Sequence, residues 1–489
     1  MSRFHHGFVL SLLFSFFAAC PLLGTEENPR RPNVVFIMAD DLGYGELGCY
    51  GQKWVRTPHL DRLAAEGMRF TQHYSGSPVC APARCTLMTG KHGGHAFIRD
   101  NGNPPGREHK PNEGLFPGQH PIPAEEVTLA EQFHELGYAT GAMGKWGLGY
   151  EGSSGDPNRQ GFDLFFGYLC QVHAHSHYPR FLWRNGERVE YEGNERQLLG
   201  KHHSQDAFVE EALAFIRASA DRPFFLYLPF AVPHLSIQAP EEAVQPYLET
   251  IPEEEYEHKG YLKHPTPRAG YAAMVTRMDE GIGRVLALLE ELGLREETIV
   301  VFTSDNGPTY DRLGGSDSEF FNSAPGMRGL KGSVYEGGIK VPMIARWPGR
   351  IPEGRVSDLP TYFPDWMPTL LDLVGAAESI PENIDGQSFS TTLLGQKARE
   401  APRKPLVWEF RGYGGQQAIR LGEWKGVRQR LLRKNLHLEL YNLAEDPEEK
   451  NDVSDAHPEV VAELTQILAR EHMPSKLFPI PVLDGPAGE

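Results

Sequence analysis

The sequence predicts an α/β protein: a mostly parallel central sheet sandwiched by helices, with a smaller C-terminal antiparallel sheet plus helix. Three observations carry this. Apolar, β-branched and aromatic runs within RPNVVFIMADDLGYG, RPFFLYLPFAVPH and REETIVVFTSDNG are continuous rather than alternating, as in strands buried on both faces. Helix-like segments with start and stop signals lie between them, giving the order strand, helix, strand. After FPDWMPTLLDLVGAA the pattern changes to short runs with close turns, which suit a small antiparallel sheet.

The amino-terminal segment reads as a secretory signal. Arg3 and two histidines precede the apolar run Gly7–Ala19, which is too short to span a bilayer and is followed by small residues and the polar stretch TEENPRRP. Residues 1–24 are therefore expected to be removed, leaving a secreted or periplasmic protein. Phe17-Ala18-Ala19-Cys20 also resembles a lipobox, so a lipid anchor at Cys20 on the cell surface is the alternative, and the one route to a membrane that the sequence offers.

The first strand follows at RPNVVFIMA. Thr57-Pro58 opens a helix that leaves at Gly67, Thr128 opens LAEQFHELGY with Gly137 at its end, and GYAAMVTRMDEGIGRVLALLEELG runs to Gly293 and hands over to the TIVVFTS strand. The domain boundary is placed near Ala377, giving residues 25–377 and 378–489. Beyond it, a stretch rich in Pro, Gly, Ser and Thr precedes KPLVWEF, QQAIRLGEWKGVRQR and LHLELYNL, and HPEVVAELTQILAREH closes the subdomain as an amphipathic helix.

A formal net charge of -17 over 489 residues, with no basic tail or stripe, argues against a nucleic-acid partner. Any anionic ligand must then be drawn in by a local cluster of cations. Beyond Cys20 the cysteines are Cys49, Cys80, Cys85 and Cys170, which allows two disulfides but makes no disulfide framework.

In open α/β sheets the site lies beyond the carboxyl ends of the strands, which collects Asp40, Asp41, Asp305, Asn306 and His234 on one rim. Three carboxylates and an amide form a hard-oxygen set that suits Ca²⁺ or Mg²⁺ rather than Zn²⁺. Taken singly, each stretch is better explained by turn-forming Asp and Asn, but together on one rim they favour a metal. In SPVCAPARCTLMTG, Pro82 fits a first helical turn. That puts Cys80 at a helix N-terminus and Arg84 one turn in, where a reactive thiol and a buried apolar cysteine both remain open readings. His173, His175 and His177 recur every second residue, so an extended segment would present them on one face as a base, a substrate contact, a second metal site or a solvated edge. His202 and His203 read as capping or surface residues. Trp183 and Arg184 read as a hairpin with Asn185-Gly186 at its turn, ahead of a sugar subsite.

Cys80-Ala81-Pro82-Ala83-Arg84, followed by Leu87-Met88-Thr89-Gly90, resembles the signature of the type I sulfatases, in the alkaline phosphatase superfamily. NVVFIMADDLGYGELGCYG, GAMGKWGLG, PHLSIQAP, FTSDNGP, MRGLKGSVYEGGIKVPMIARWPG and LYNLAEDPEEKND are similar to further motifs of that family, in the family's order. The resemblance implies an alkaline-phosphatase-like fold and a sulfatase that hydrolyses sulfate esters, most plausibly on a sulfated carbohydrate. It implies that a formylglycine-generating or sulfatase-maturating enzyme converts Cys80 to formylglycine (3-oxoalanine). It also implies one Ca²⁺ held by Asp40, Asp41, Asp305, Asn306 and the converted Cys80. Arg84 and Lys145 would brace the hydrated aldehyde, Lys145, His234 and Lys331 would face the sulfate, and His234 or Lys331 would protonate the leaving alcohol. Many members read Gly-Lys-Trp-His-Leu-Gly, with the histidine a natural base for expelling sulfate, whereas here the fourth position is Gly147. His175 is the expected substitute. A formylglycine-dependent phosphoester or phosphonate hydrolase, and a catalytically silent protein that binds sulfated glycans, are the alternatives.

Overall fold

Residues 30–396 and 402–485, with Met1, Ser2, His5 and Gly7, are described by the computed structural model. Residues 8–19 of the expected signal, and Cys20 with its anchor, lie outside the described residues.

In chain order the strands are β1 (Asn33–Ala39), β2 (Met68–Phe70), β3 (His73–Tyr74), β4 (Ala139–Lys145), β5 (Leu164–Tyr168), β6 (Phe181–Arg184), β7 (Glu187–Glu190) and β8 (Phe224–Pro229). They continue with β9 (Thr298–Ser304), β10 (Met343–Arg346), β11 (Arg355–Ser357), β12 (Thr361–Tyr362), β13 (Leu406–Phe410), β14 (Gln416–Leu421), β15 (Trp424–Gln429) and β16 (Glu439–Asn442). The large sheet has the order β11-β2-β10-β9-β1-β8-β4-β5-β6-β7. Its centre, β9-β1-β8-β4-β5, is parallel, while β10 runs antiparallel beside β9 and β6-β7 form an antiparallel hairpin at the far edge. The three apolar runs are β1, β8 and β9, and they lie side by side.

β1 shows why its sequence does not alternate. Val35, Ile37 and Ala39 enter one core with Phe208, Val285 and Leu289 from the helices Ser204–Ala218 and Pro267–Glu291. Val34, Phe36 and Met38 enter another with Leu87, Phe133 and Trp366 from the helices Cys80–Thr89, Leu129–Glu135 and Trp366–Leu373. Both faces are dry, so each residue contributes apolar burial, about 1.5–3 kcal/mol for a large side chain.

Thr128 closes a capping box with Glu131, as its position predicts. Thr57 does not cap the helix Pro58–Ala65. Its hydroxyl accepts from Gly48 N and donates to Asp61, and the free N–H groups of His59 and Leu60 go to the carboxylate of Asp279, a stronger acceptor, at 3.0 and 2.8 Å. Asn185 and Gly186 both take positive φ, 48° and 84°, and make the tight turn of the β6-β7 hairpin. Cys49, Cys80, Cys85 and Cys170 are all free thiols, so the two disulfides that the cysteine count allowed do not form.

The described residues from Arg31 onward pack as one unit. Within it β13-β14-β15-β16 is a separate antiparallel sheet. One face packs on Leu464 and Leu468 of the helix Pro458–Arg470. The other sets Trp408, Phe410 and Val427 against Tyr74, Val79, Val334 and Ile339, the segments that flank the rim of the large sheet. Trp408 Nε1 donates to Ser75 O (2.7 Å), and Ser75 Oγ donates in turn to Asp305 O (2.5 Å).

Candidate active site

The parallel strands deliver their following residues to one rim. β1 and β9 are in register to Ala39 and Ser304, and Asp305 N donates to Ala39 O at 3.0 Å, so Asp40-Asp41 and Asp305-Asn306 emerge together. Asp41 takes φ 65°, a left-handed conformation that Asp tolerates better than most residues. The loop beyond it is fixed by buried Glu46, which accepts from Gly43 N (2.8 Å), Tyr271 OH (2.7 Å) and Ser323 Oγ (2.5 Å). Gly43 is required there, because a Cβ would lie 2.5 Å from Ser323 O.

Cys80 is the first residue of its helix, as Pro82 predicts, and follows extended Val79. Its Sγ is 3.4 Å from Asp40 Oδ1 and 3.4 Å from Lys331 Nζ. Burial and the Asp40 carboxylate push the thiol upward.

Around Cys80 three carboxylates alternate with three cations. Lys145 Nζ donates to Asp40 Oδ2 at 2.6 Å, and Lys331 Nζ lies 2.7 and 2.8 Å from the two oxygens of Asp41. Arg84 reaches Asp305 Oδ2 through Nε (3.2 Å) and Nη2 (2.8 Å) and donates through Nη1 to Lys145 O, tying the β4 end to the β9 end. Burial opposes ionisation of Asp40, yet Lys145, Arg84 and Lys331 hold it well below the ordinary carboxylate range. Burial and the Asp40 charge push Asp305 up to about 7 despite Arg84, and burial raises Asp41 despite Lys331. Asn306 donates Nδ2 to Asp41 Oδ1 at 2.8 Å, whereas its Oδ1 is buried without a partner among the described residues.

His234 joins the cluster, with Nε2 3.6 Å from Asp41 Oδ2. Its Nδ1 is 2.6 Å from Leu235 O, an acceptor only, which assigns the proton to Nδ1 and leaves Nε2 as an acceptor in the neutral ring. Burial and Lys331 hold the ring neutral.

The histidine stretch is not extended, and its three rings do not share a face. His173–His175 is a single 3-10 turn entered from helical Val172. His173 stacks on Phe116 at 4.1 Å as a core residue, and His177 Nε2 meets His234 O at 2.8 Å. His175 alone reaches the rim, its ring 4.9 Å from that of His234 and parallel to it. Burial, Lys145 and Lys331 hold it down to about 3, a weak base. His203 caps the helix Ser204–Ala218 by accepting from Gln205 N, and His202 is exposed. Tyr261, which no sequence signal marks, faces both His175 and His234 with ring centroids at 5.3 and 6.0 Å.

A model of the family described as Sulfatase matches residues 32–376, which include every residue of this rim. The chain belongs to the sulfatase family. It is thereby a sulfuric ester hydrolase. A second model, N-sulphoglucosamine sulphohydrolase, C-terminal, matches residues 330–473. The chain is 34% identical over 419 residues to N-acetylgalactosamine-6-sulfatase of Canis lupus familiaris, covering 82% of this chain and 73% of that protein. It is 29% identical over 528 residues to N-acetylgalactosamine-6-O-sulfatase of Bacteroides thetaiotaomicron, covering 90% and 93%. The crystal structure of Ps i-CgsB in complex with k-i-k-neocarrahexaose superposes with a TM-score of 0.71 at 27% identity, covering 90% and 92%.

In this sulfatase the position after Lys145-Trp146 has no side chain to offer. Gly147 takes φ 84°, and a Cβ built on it would lie 2.2 Å from Gln171 Nε2 and 3.7 Å from Arg84 Cδ. Gln171 is 5% exposed, and among the described residues neither Oε1 nor Nε2 has a partner. No local pattern in the sequence marks it, because its place beside Gly147 comes from the β4-β5 pairing.

Proposed function

We propose that the protein is an exported, calcium-dependent sulfatase that removes sulfate esters from a carbohydrate, with a formylglycine made from Cys80 by a formylglycine-generating or sulfatase-maturating enzyme. The observation that carries the reading is the placing of Cys80 Sγ between Asp40 and Lys331, inside a buried ring of three carboxylates and three cations. The carbohydrate is supported by the names of the two relatives above, both N-acetylgalactosamine sulfatases, and by the oligosaccharide in the superposed structure, although a steryl-sulfatase of Mus musculus is also 32% identical. Export rests on the signal-like amino-terminal run.

The residues fit a hard divalent cation. Asn306 Oδ1 is a buried acceptor with no donor, and burial leaves Asp41 and Asp305 raised even with Lys331 and Arg84 against them. Asp40, Asp41, Asp305 and Asn306 would hold it, with residue 80 beside them. When bound and converted, the cation supplies charge neutralisation at the sulfuryl oxygens and the hydrated aldehyde supplies an oxygen nucleophile.

The chain's own residues do the rest. Arg84 fixes the Asp305 loop against the Lys145 strand, which sets the spacing of the pocket walls. Lys145 and Lys331 present ammonium groups to an anionic ester, and the ring of three carboxylates and three cations is near neutral until the carboxylates have another partner. His234, with its proton on Nδ1, orients groups through Nε2 as an acceptor. Lys331 Nζ, 3.4 Å from position 80, holds the proton that the leaving alcohol oxygen takes.

The test is inorganic sulfate release from sulfated mono-, oligo- and polysaccharides, beside matched phosphate esters. It uses protein whose Cys80 peptide is shown by mass spectrometry to carry the aldehyde. Release that Cys80→Ala and calcium chelation both abolish is the expected result. Preference for phosphate esters, or no release from fully converted protein, overturns it.

A further inference from the structure

We propose that Gln171 is a positioning residue of this site. Its carboxamide hydrogen-bonds a hydroxyl of the hydrated aldehyde at position 80. The inference rests on the formylglycine reading above.

Three observations converge. The first is space: the Gln171 amide nitrogen lies 2.2 Å from where a Cβ of residue 147 would begin, beside the stem of Arg84, and the φ of 84° at Gly147 strains a residue that carries a side chain. The region left by the absent side chain is thus filled from another loop. The second is chemistry. Gln171 is 5% exposed, with both its donor and its acceptor unpaired among the described residues, although buried polar groups are nearly always satisfied. A hydroxyl is both donor and acceptor, so one such group satisfies both ends of the amide, whereas a sulfuryl oxygen satisfies only Nε2. The third is register: β4 and β5 pair to Lys145 and Tyr168, and Gly147 N donates to Leu169 O at 3.3 Å, which fixes Gln171 relative to the lysine motif.

An amide is far too weak a base to remove a proton near neutral pH, so Gln171 orients the hydroxyl and takes no proton from it. Its substitution therefore changes the hydration of the aldehyde as well as turnover.

The experiment uses the full chain with aldehyde content measured by mass spectrometry, in wild type, Gln171→Met and Gln171→Glu. An aminooxy probe reports free aldehyde, since the hydrate does not react. In Gln171→Met, of similar length but apolar, labelling is expected to be about tenfold faster, with kcat about tenfold lower and KM within about twofold. Gln171→Glu keeps the acceptor in place and retains slow labelling. In unconverted protein, Gln171→Met melts at or above the wild-type temperature, since it removes two unsatisfied groups. Equal labelling rates in wild type and Gln171→Met overturn the proposal, as does a fall in melting temperature that accompanies the lost activity. Wild-type protein that bears the aldehyde yet releases no sulfate overturns the sulfatase reading alone, because the labelling comparison still decides Gln171.

Discussion

Replacing Lys425 with methionine removes the one ammonium that two buried carboxylates share. Lys425 is fully buried on β15, 2.9 Å from Glu336 Oε1 and 2.8 Å from Glu449 Oε1, and Tyr74 OH donates to Glu336 Oε2 at 2.7 Å. Burial works to raise Glu336, yet Lys425, Lys340 and Arg420 bring it from 4.5 to about 2, while burial and Glu336 raise Glu449. A carboxyl lowered that far carries roughly 3 kcal/mol of folding stability, present above pH 4.5 and lost as pH falls toward 2. Without the cation, both carboxyls are buried beside each other with their folded values raised. The folded state then binds protons that the unfolded state does not, and stability falls as pH rises above 4.5. Breaking such a pair costs about 3–5 kcal/mol. Lys425→Met is expected to lose that amount in urea unfolding of the full chain at pH 7.5 and much less at pH 5. Lys425→Met/Glu449→Gln should recover part of the loss at the higher pH. A deficit below about 1 kcal/mol, or one that does not change with pH, refutes the reasoning. The segment so held begins at Glu336, and Gly338 O accepts from Gly307 N beside the Asp305-Asn306 pair, so the same clamp braces the rim.

Calcium should raise the melting temperature of the wild-type protein, by about 2.7 kcal/mol of stability at a hundredfold excess over Kd, and Asn306→Ala should lose most of that gain in a thermal-shift titration against a chelator. His472 donates to Glu409 (2.8 Å) and Asp484 (3.1 Å); burial lowers it, but these carboxylates prevail and raise it above 6.5. The bond contributes fully below pH 6.5 and is lost as pH rises through the raised value, so His472→Gln should cost about 1.5–3 kcal/mol at pH 5.5 and little at pH 9 in unfolding experiments. Cys85 is buried in the core with its thiol pushed up to about 12 by burial. Cys85→Ala should cost about 1 kcal/mol while leaving Cys80 conversion and sulfate release unchanged, measured by mass spectrometry and sulfate assay.

Strands buried on both faces announce themselves when they are rich in β-branched and aromatic residues, which is why β1, β8 and β9 were legible and brought Asp40, Asp41, Asp305, Asn306 and His234 to one rim. β4 was legible only as a motif. Its sequence, ATGAMGK, is short of large apolar side chains because its glycines admit neighbours: a Cβ on Gly144 would sit 2.0 Å from Pro229 O, and one on Gly141 would meet the ring of Phe215 at 2.9 Å. The alternation of His173, His175 and His177 pointed to a strand, but alternation alone carries no apolar face to bury, and the segment turns helically after β5. Gln171 had no signal at all, since an unsatisfied amide is a property of its surroundings.

The alternative of a silent glycan-binding protein rests on the missing side chain at Gly147, and the packing around that position speaks against it. A side chain lost without consequence leaves either a void or a refilled apolar contact, because both are cheaper than a polar group without a partner. Here the region holds a carboxamide with two unpaired ends, 2.2 Å from the missing Cβ and next to an arginine that spans Asp305 and Lys145. Such a group weakens the resting fold and is explained by a partner that arrives later. Position 80 offers one once its thiol is replaced by an oxygen function, so the glycine and the glutamine read as two halves of a single exchange.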